Sequence, residues 1–144
     1  DLQNGTLKKL AFGADFYTSP RLSPDGNQLV WIEWNHPNMP WDESQLWRAN
    51  FDKRGNLENR QCLIANTEES ICEPRWSPDG DLYFSSDRTL WWNLYRYSDE
   101  PVPIYQTEAE FAYPHWIFGL STYGFINSEK IACTYTQNGR WYLA

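Results

Sequence analysis

The stretch Ser19-Pro20-Arg21-Leu22-Ser23-Pro24-Asp25-Gly26 returns as Glu73-Pro74-Arg75-Trp76-Ser77-Pro78-Asp79-Gly80, 54 positions further along the chain. In each Ser-Pro-Asp-Gly the proline presets φ for the first corner of a tight turn, the aspartate bonds back to the backbone, and the glycine accepts positive φ without steric cost. Pro24, Asp25 and Gly26, with Pro78, Asp79 and Gly80, are therefore read as the structural turns of two hairpins. A strand follows each turn, Gln28 to Trp34 and Asp81 to Ser86, both rich in β-branched and aromatic residues. A short strand carrying a proline precedes each turn. Proline cannot donate to a ladder, so that strand is expected at the edge of its sheet.

A third, altered copy is read about 40 residues later, where Tyr113-Pro114-His115-Trp116 lines up with Glu73-Pro74-Arg75-Trp76 and Ile117 to Ser121 replaces the turn. A period near 40 with several short strands per unit is the signature of a propeller blade. The expected fold is all-β, a partial β-propeller of about three four-stranded antiparallel blades. Residues 15–66 form the first blade, with strands Tyr17 to Leu22, Gln28 to Trp34, Gln45 to Phe51 and Arg60 to Ala65. The second spans 67–107, with Ile71 to Trp76, Asp81 to Ser86, Asn93 to Tyr97 and Val102 to Tyr105. The third spans 108–144, with Ala112 to Ile117, Thr122 to Asn127, Lys130 to Thr136 and Arg140 to Leu143. Within residues 1–14, Thr6 to Phe12 reads as a lone strand, the last of a preceding blade. In Leu29 to Ile32 alternation gives way to an apolar run, as in a strand covered on both faces.

Rings supply 17% of the 144 residues, including nine tryptophans. Packing between sheets is their expected use; exposed indoles stacking on sugar are the alternative. A net charge of −7 with scattered basic residues excludes the basic face that nucleic acid requires. No apolar run approaches the roughly 18 residues of a membrane span. No leader pattern is visible, so the cytoplasm is the expected compartment, although a chain that starts at Asp1 leaves room for a removed leader.

Cys62, Cys72 and Cys133 form no Cys-x-x-Cys pair. Reduced, buried thiols are expected, with a bridge between Cys62 and Cys72 as the alternative. His36 and His115 stand at no metal-ligand spacing, so neither a metal nor a cofactor is expected. The segment Gly119 to Gly124 has one residue too many for a Gly-x-Ser-x-Gly elbow and reads as a glycine-flanked hairpin turn. The acid pairs Glu68-Glu69, Asp99-Glu100 and Glu108 with Glu110 read as solvated loop charges, since adjacent strand residues point to opposite faces. The most distinctive segment is the insertion Trp34 to Glu43, in which Asn35, His36, Trp41 and Asp42 are the candidates to face a substrate or a neighbouring domain.

The run Tyr17 to Asp42, with Asn-His-Pro-Asn-Met-Pro-Trp-Asp, and the run Glu73 to Tyr97, with Trp-Trp-Asn-Leu-Tyr-Arg, resemble the propeller of prolyl oligopeptidase-family serine peptidases, in the acylaminoacyl-peptidase and dipeptidyl-aminopeptidase branch. Ser-Pro-Asp-Gly alone is shared with TolB-like propellers generally. The resemblance implies a non-catalytic, gating segment whose partner is an α/β-hydrolase domain of the same parent, peptides or acyl-peptides reaching a Ser-Asp-His triad through that domain. No catalytic residue carries over to this chain. Three blades cannot close a ring, so association of two copies through open blade faces is a further expectation. The rival functions are a stand-alone TolB-like interaction scaffold and a carbohydrate-binding module.

Overall fold

The structure is a computed structural model that describes residues 2–65 and 68–144; the boundary between the first and second expected blades falls on residues outside that set. Among the described residues no helix forms, and eleven strands make three antiparallel sheets. The first is β1 (Phe16–Leu22), β2 (Gln28–Trp34), β3 (Gln45–Phe51) and β4 (Leu57–Ile64), in that order. The second is β5 (Ile71–Trp76), β6 (Leu82–Ser86), β7 (Asn93–Ser98) and β8 (Glu100–Pro103). The third has three strands, β9 (Tyr123–Asn127), β10 (Lys130–Gln137) and β11 (Arg140–Leu143).

Both Ser-Pro-Asp-Gly turns close as the residues dictate. Gly26 N–H donates to the Ser23 carbonyl at 2.9 Å and Gly80 N–H to the Ser77 carbonyl at 3.0 Å, with the glycines at φ 73° and 89°. The serine hydroxyls finish the job: Ser23 Oγ accepts from Gln28 N–H and Ser77 Oγ from Asp81 N–H. Asp25 accepts from Ser23 Oγ and from Asn27, and these bonds hold its carboxyl below the usual range.

The proline-bearing strands β1 and β5 do lie at sheet edges. Each carries a bulge at the same place. Ser19 (φ 53°) and Glu73 (φ 50°) are left-handed immediately before Pro20 and Pro74, and the ladder skips between Thr18 and Arg21 and between Cys72 and Arg75. The two edges meet, β1 against β5, and Trp76 Nε1 donates across them to the Arg21 carbonyl at 3.1 Å. At its other edge the second sheet ends in β8, where Pro101 and Pro103 again have no N–H to offer.

Two apolar layers lie between the sheets. Val30, Ile32, Trp34 and Leu46 of the first sheet pack on Ile71, Leu82, Phe84 and Tyr95 of the second. The opposite face of the second sheet, Tyr83 and Leu94, packs with Phe111 on Tyr123, Phe125, Ile131 and Tyr135. The β2 strand is buried on both faces, as its apolar run requires.

Four local expectations need correction. Residues 112–117 are not a strand: Trp116 N–H bonds to the Pro114 carbonyl in a local turn, and His115 is buried edge-on against Trp92. Proline between bulky residues imitates an edge strand, but this segment joins no ladder among the described residues. The innermost strand of the third sheet is instead β9, where Thr122 and Tyr123 bond to Glu73 of β5, and Asn127 to Lys130 is the hairpin that replaces Ser-Pro-Asp-Gly. The third sheet therefore lacks its outer strand among the described residues, and β11 pairs only with β10. Residues 6–12 form no strand; they run over the outer face of the first sheet, with the Phe12 carbonyl accepting from Arg60 and Lys8 reaching the Gly55 carbonyl. An extended segment needs a neighbouring ladder to count as a strand, and this one pairs with none among the described residues.

Because Gly26 and Gly80 sit at positive φ with open space around them, Ala at either position is expected to cost about 1 kcal/mol through backbone strain alone. Gly124→Ala, also in open space but without positive φ, serves as the control and leaves the urea midpoint unchanged or raised.

Candidate functional site at the loop end of the sheets

In a sheet of four antiparallel strands, the first begins and the last ends at the same end. The tight turns 23–26, 52–56, 77–80 and 127–130 lie at one end, while the long connections 35–44, 87–92 and 104–122 lie at the other. The candidates Asn35, His36, Trp41 and Asp42 all belong to this loop end.

Asn35 and His36 are brought together by a residue 20 positions upstream. Asp15 N–H donates to Asn35 Oδ1 at 2.9 Å, and the Asp15 carboxylate accepts from His36 N–H at 3.0 Å and faces His36 Nδ1 at 3.1 Å. The His36 backbone bond, with its ring next, holds the Asp15 carboxyl below its ordinary range. An ionised carboxylate can only accept, so Nδ1 carries the proton in this contact. Both side chains are largely exposed. Beneath them runs a chain of rings: His36 on Phe16 (4.8 Å), Phe16 stacked on Trp34 (5.1 Å), and Trp34 against Phe118 (6.2 Å). A cleft of about 190 Å³ opens between Trp34, His36, Asn38 and Glu43, with Asn38 Nδ2 donating to Glu43 Oε2 at 2.9 Å.

Trp41 and Asp42 do not line this cleft. Asp42 is engaged in its own turn, accepting from Met39 N–H at 2.9 Å, and Trp41 is half-buried. The base of the loop is tied to the second sheet, since the Pro40 carbonyl accepts from Ser70 Oγ and Ser44 Oγ bonds to both the N–H and the carbonyl of Ile71.

A buried polar node joins the second and third sheets beside the β5 bulge. Glu73 accepts from Thr122 N–H on both oxygens (3.1 and 2.9 Å) and from Arg75 at 3.1 Å, while its carbonyl accepts from Tyr123 OH at 2.7 Å. Arg75 also donates to Ser121 Oγ at 2.9 Å and lies over the Tyr123 ring. His115 lies near this node, 95% buried, with no protein partner for either ring nitrogen; desolvation drives its pKa down to about 4.

Glu69 was expected in solvent and is not. It is buried and held in a fork by Arg88 (3.0 Å to each oxygen) and by Ser86 Oγ at 2.6 Å, because the 87–92 turn brings the guanidinium over it. Glu110 likewise accepts from Trp92 N–H at 2.8 Å. The segment Gly119 to Gly124 is an inter-sheet connection leading into β9 rather than a hairpin, and no helix follows its serine. All three cysteines are free. Burial raises each thiol pKa, Cys72 most strongly, though only Cys72 is fully enclosed. Among the described residues no three His, Cys, Asp or Glu side chains gather as a metal site, and no helix is long and apolar enough to cross a membrane.

The loop end thus brings together carboxylates, an oriented imidazole and an apolar wall. A larger, mainly apolar chamber of about 500 Å³ lies between the second and third sheets, beside Ile104 and Ala144. Sequence reasoning did not find Asp15, Glu43, Phe118 or Glu73 as contributors; the matched positions Ser19-Pro20 and Glu73-Pro74 are the signal that could have exposed the last.

Stacked antiparallel sheets whose kinked inner edges meet define a partial β-propeller. No family model matches the chain, and no curated protein matches it. Solved structures do. A serine-to-alanine mutant of puromycin hydrolase complexed with PGG is 36% identical at TM-score 0.88, over 94% of this chain and 21% of that one. Puromycin hydrolase itself is 38% identical at TM-score 0.79, over 85% and 19%, and a puromycin-hydrolyzing peptidase of Mycobacterium tuberculosis is 34% identical at TM-score 0.81, over 89% and 20%. The chain spans about a fifth of the length of these proteins. The likeness supports a propeller domain of the prolyl oligopeptidase family, without reaching a particular branch.

Two outcomes follow from the buried groups. Arg88→Ala strands the Glu69 carboxylate and is expected to cost about 3–5 kcal/mol, seen as a lowered urea midpoint at unchanged slope. His115, with its folded pKa depressed from 6.5 to about 4, contributes stability that is complete above pH 6.5 and lost as the pH falls towards 4. The loss amounts to about 3 kcal/mol, and His115→Phe should flatten that acid limb by one proton.

Proposed function

We propose that this chain is a non-catalytic section of a propeller that gates the access of peptides or acyl-peptides to a serine-hydrolase portion of the same parent polypeptide, in the acylaminoacyl-peptidase and dipeptidyl-aminopeptidase branch. The observation that carries this reading is the likeness, along nearly all of its length, to about a fifth of each puromycin hydrolase. Asp15 and Glu43 at the loop end supply the negative charge that a peptide's amino terminus seeks, and His36 and Phe16 supply an edge and a wall beside it. Three free thiols are in keeping with a reducing compartment, and we place the parent in the cytoplasm.

The parent protein treated with a fluorophosphonate probe is expected to label one serine outside these 144 residues, and to cleave short peptides while sparing folded proteins. No labelled serine would leave a stand-alone scaffold as the function. In the labelled parent, His36→Ala and Asp15→Asn are expected to raise KM for small peptides about tenfold with kcat little changed, the pattern of lost uniform binding. An unchanged KM in both variants removes the loop-end site.

A further inference from the structure

We infer that the cleft in which the inner edges of the three sheets meet binds a small carboxylate carried on an apolar body, held between Arg21 and Arg75. The site is independent of the proposed function, lies beside the 23–26 turn, and shares no residue with the cleft at His36. Its origin is the repeated stretch. In both copies arginine directly follows the kinked proline, as Pro20-Arg21 and Pro74-Arg75, so the same bulge places a guanidinium on the inner edge of each of the first two sheets. The hairpin turns that follow close without either arginine.

The two side chains line one cleft of about 260 Å³, with Leu22 and Trp76 beside them and with Gly124 and Phe125 of β9 completing the wall. Among the described residues no Asp or Glu lines it. Burial pushes the Tyr123 hydroxyl well up in pKa, and Arg75 and Arg21 both pull against it, so the two positive charges stand around one point. At Gly124 there is open space where a Cβ would be, so the third edge leaves room where the first two bring a long side chain.

The positive charge in this cleft is only partly matched. Arg60 and Arg88 each close on an acid of their own, Glu33 and Glu69. Arg75 has Glu73, but uses one nitrogen, Nη2, for both Glu73 (3.1 Å) and Ser121 (2.9 Å). Arg21 is half-buried and donates from Nη1 to the Pro20 carbonyl at 3.0 Å; among the described residues no acid pairs with it. Two guanidiniums against one carboxylate leave one positive charge in excess, inside a chain of net charge −7. A guanidinium fork matches a carboxylate through two parallel hydrogen bonds, which a point charge cannot do. The Trp76 and Phe125 rings, with Leu22 at the rim, supply the apolar wall along which the rest of such a molecule lies.

Two sources carry this chemistry, a free aryl carboxylate and the C-terminus of a short peptide ending in an apolar residue. Calorimetry on the full-length parent tests the site and separates them, with any reactive serine first blocked by a fluorophosphonate so that a catalytic site does not contribute. Phenylacetate is expected to bind and phenylacetamide is not. Arg21→Gln is expected to weaken phenylacetate about tenfold, and Gly124→Glu, which sets a carboxylate in the open third side, to abolish its binding. Both variants are expected to fold, because Arg21 holds no acid and Gly124 has neither positive φ nor a close neighbour; where one fails, the other decides. Gly-Gly-Phe binding more tightly than phenylacetate, with the same dependence on Arg21, names the peptide C-terminus as the source, and equal or weaker binding names the free acid. The inference is overturned if phenylacetate does not bind, if phenylacetamide or inorganic phosphate binds as tightly, or if the variants bind it at full strength. None of these results bears on the proposed function.

Discussion

Each full sheet of this chain carries apolar side chains on both faces, and a sheet of that kind cannot rest with one face in water. In β6, Leu82 and Phe84 face the first sheet while Tyr83 faces the third, and in β2, Val30, Ile32 and Trp34 face the second sheet while Trp31 looks the other way. Burying a side chain of this size contributes roughly 1.5–3 kcal/mol, so the stacking direction is decided many times over. On the outer face of the first sheet no further sheet follows among the described residues, and only residues 6–12 cross it. There Arg60 lies over the Trp31 and Trp47 rings, paired with Glu33, and a cation takes the place of an apolar neighbour.

Stacking alone leaves the sheets free to slide, and polar contacts remove that freedom. Trp76 bonds to the Arg21 carbonyl across the first gap, and Glu73 receives Thr122 across the second. Both contacts arise beside the left-handed residue and proline that kink the inner edge of the first two sheets. The same kink brings β1 and β5 together, which aligns the connections of successive sheets at a common end. The Asp15–His36 pair, the cleft beside Glu43 and the aromatic loop 116–118 therefore converge without any of them being adjacent in sequence.

What could be read from the residues were the features with local causes. Ser-Pro-Asp-Gly determines its own geometry, a proline determines which strand has a free edge, and the run Leu29 to Ile32 announces burial on two sides. The third sheet was placed out of phase because Tyr113-Pro114-His115-Trp116 matches Glu73-Pro74-Arg75-Trp76 at its proline and its tryptophan, whereas the strand pairing follows the alternation from Tyr123 onwards. Asn35 and His36 stood out by composition, but their partner Asp15 lies in an unremarkable stretch, and only the folded edge of β1 brings it near. Glu69 was misplaced for a similar reason. Adjacent acids suggest solvent, and nothing local shows that Arg88, 19 residues away, will close over one of them.

The proline borders have a consequence for assembly. The second sheet is sealed on both sides, by Pro74 in β5 and by Pro101 and Pro103 in β8, and so cannot template a foreign chain. The first is sealed by Pro20 and edged on the other side by the charged Glu58 and Arg60. The third has no such guard: Tyr123–Asn127 and Arg140–Leu143 contain no proline, and the latter displays Trp141 and Leu143. Fibrillar growth of this polypeptide would be seeded at that sheet, recruiting molecules one rung at a time along β11.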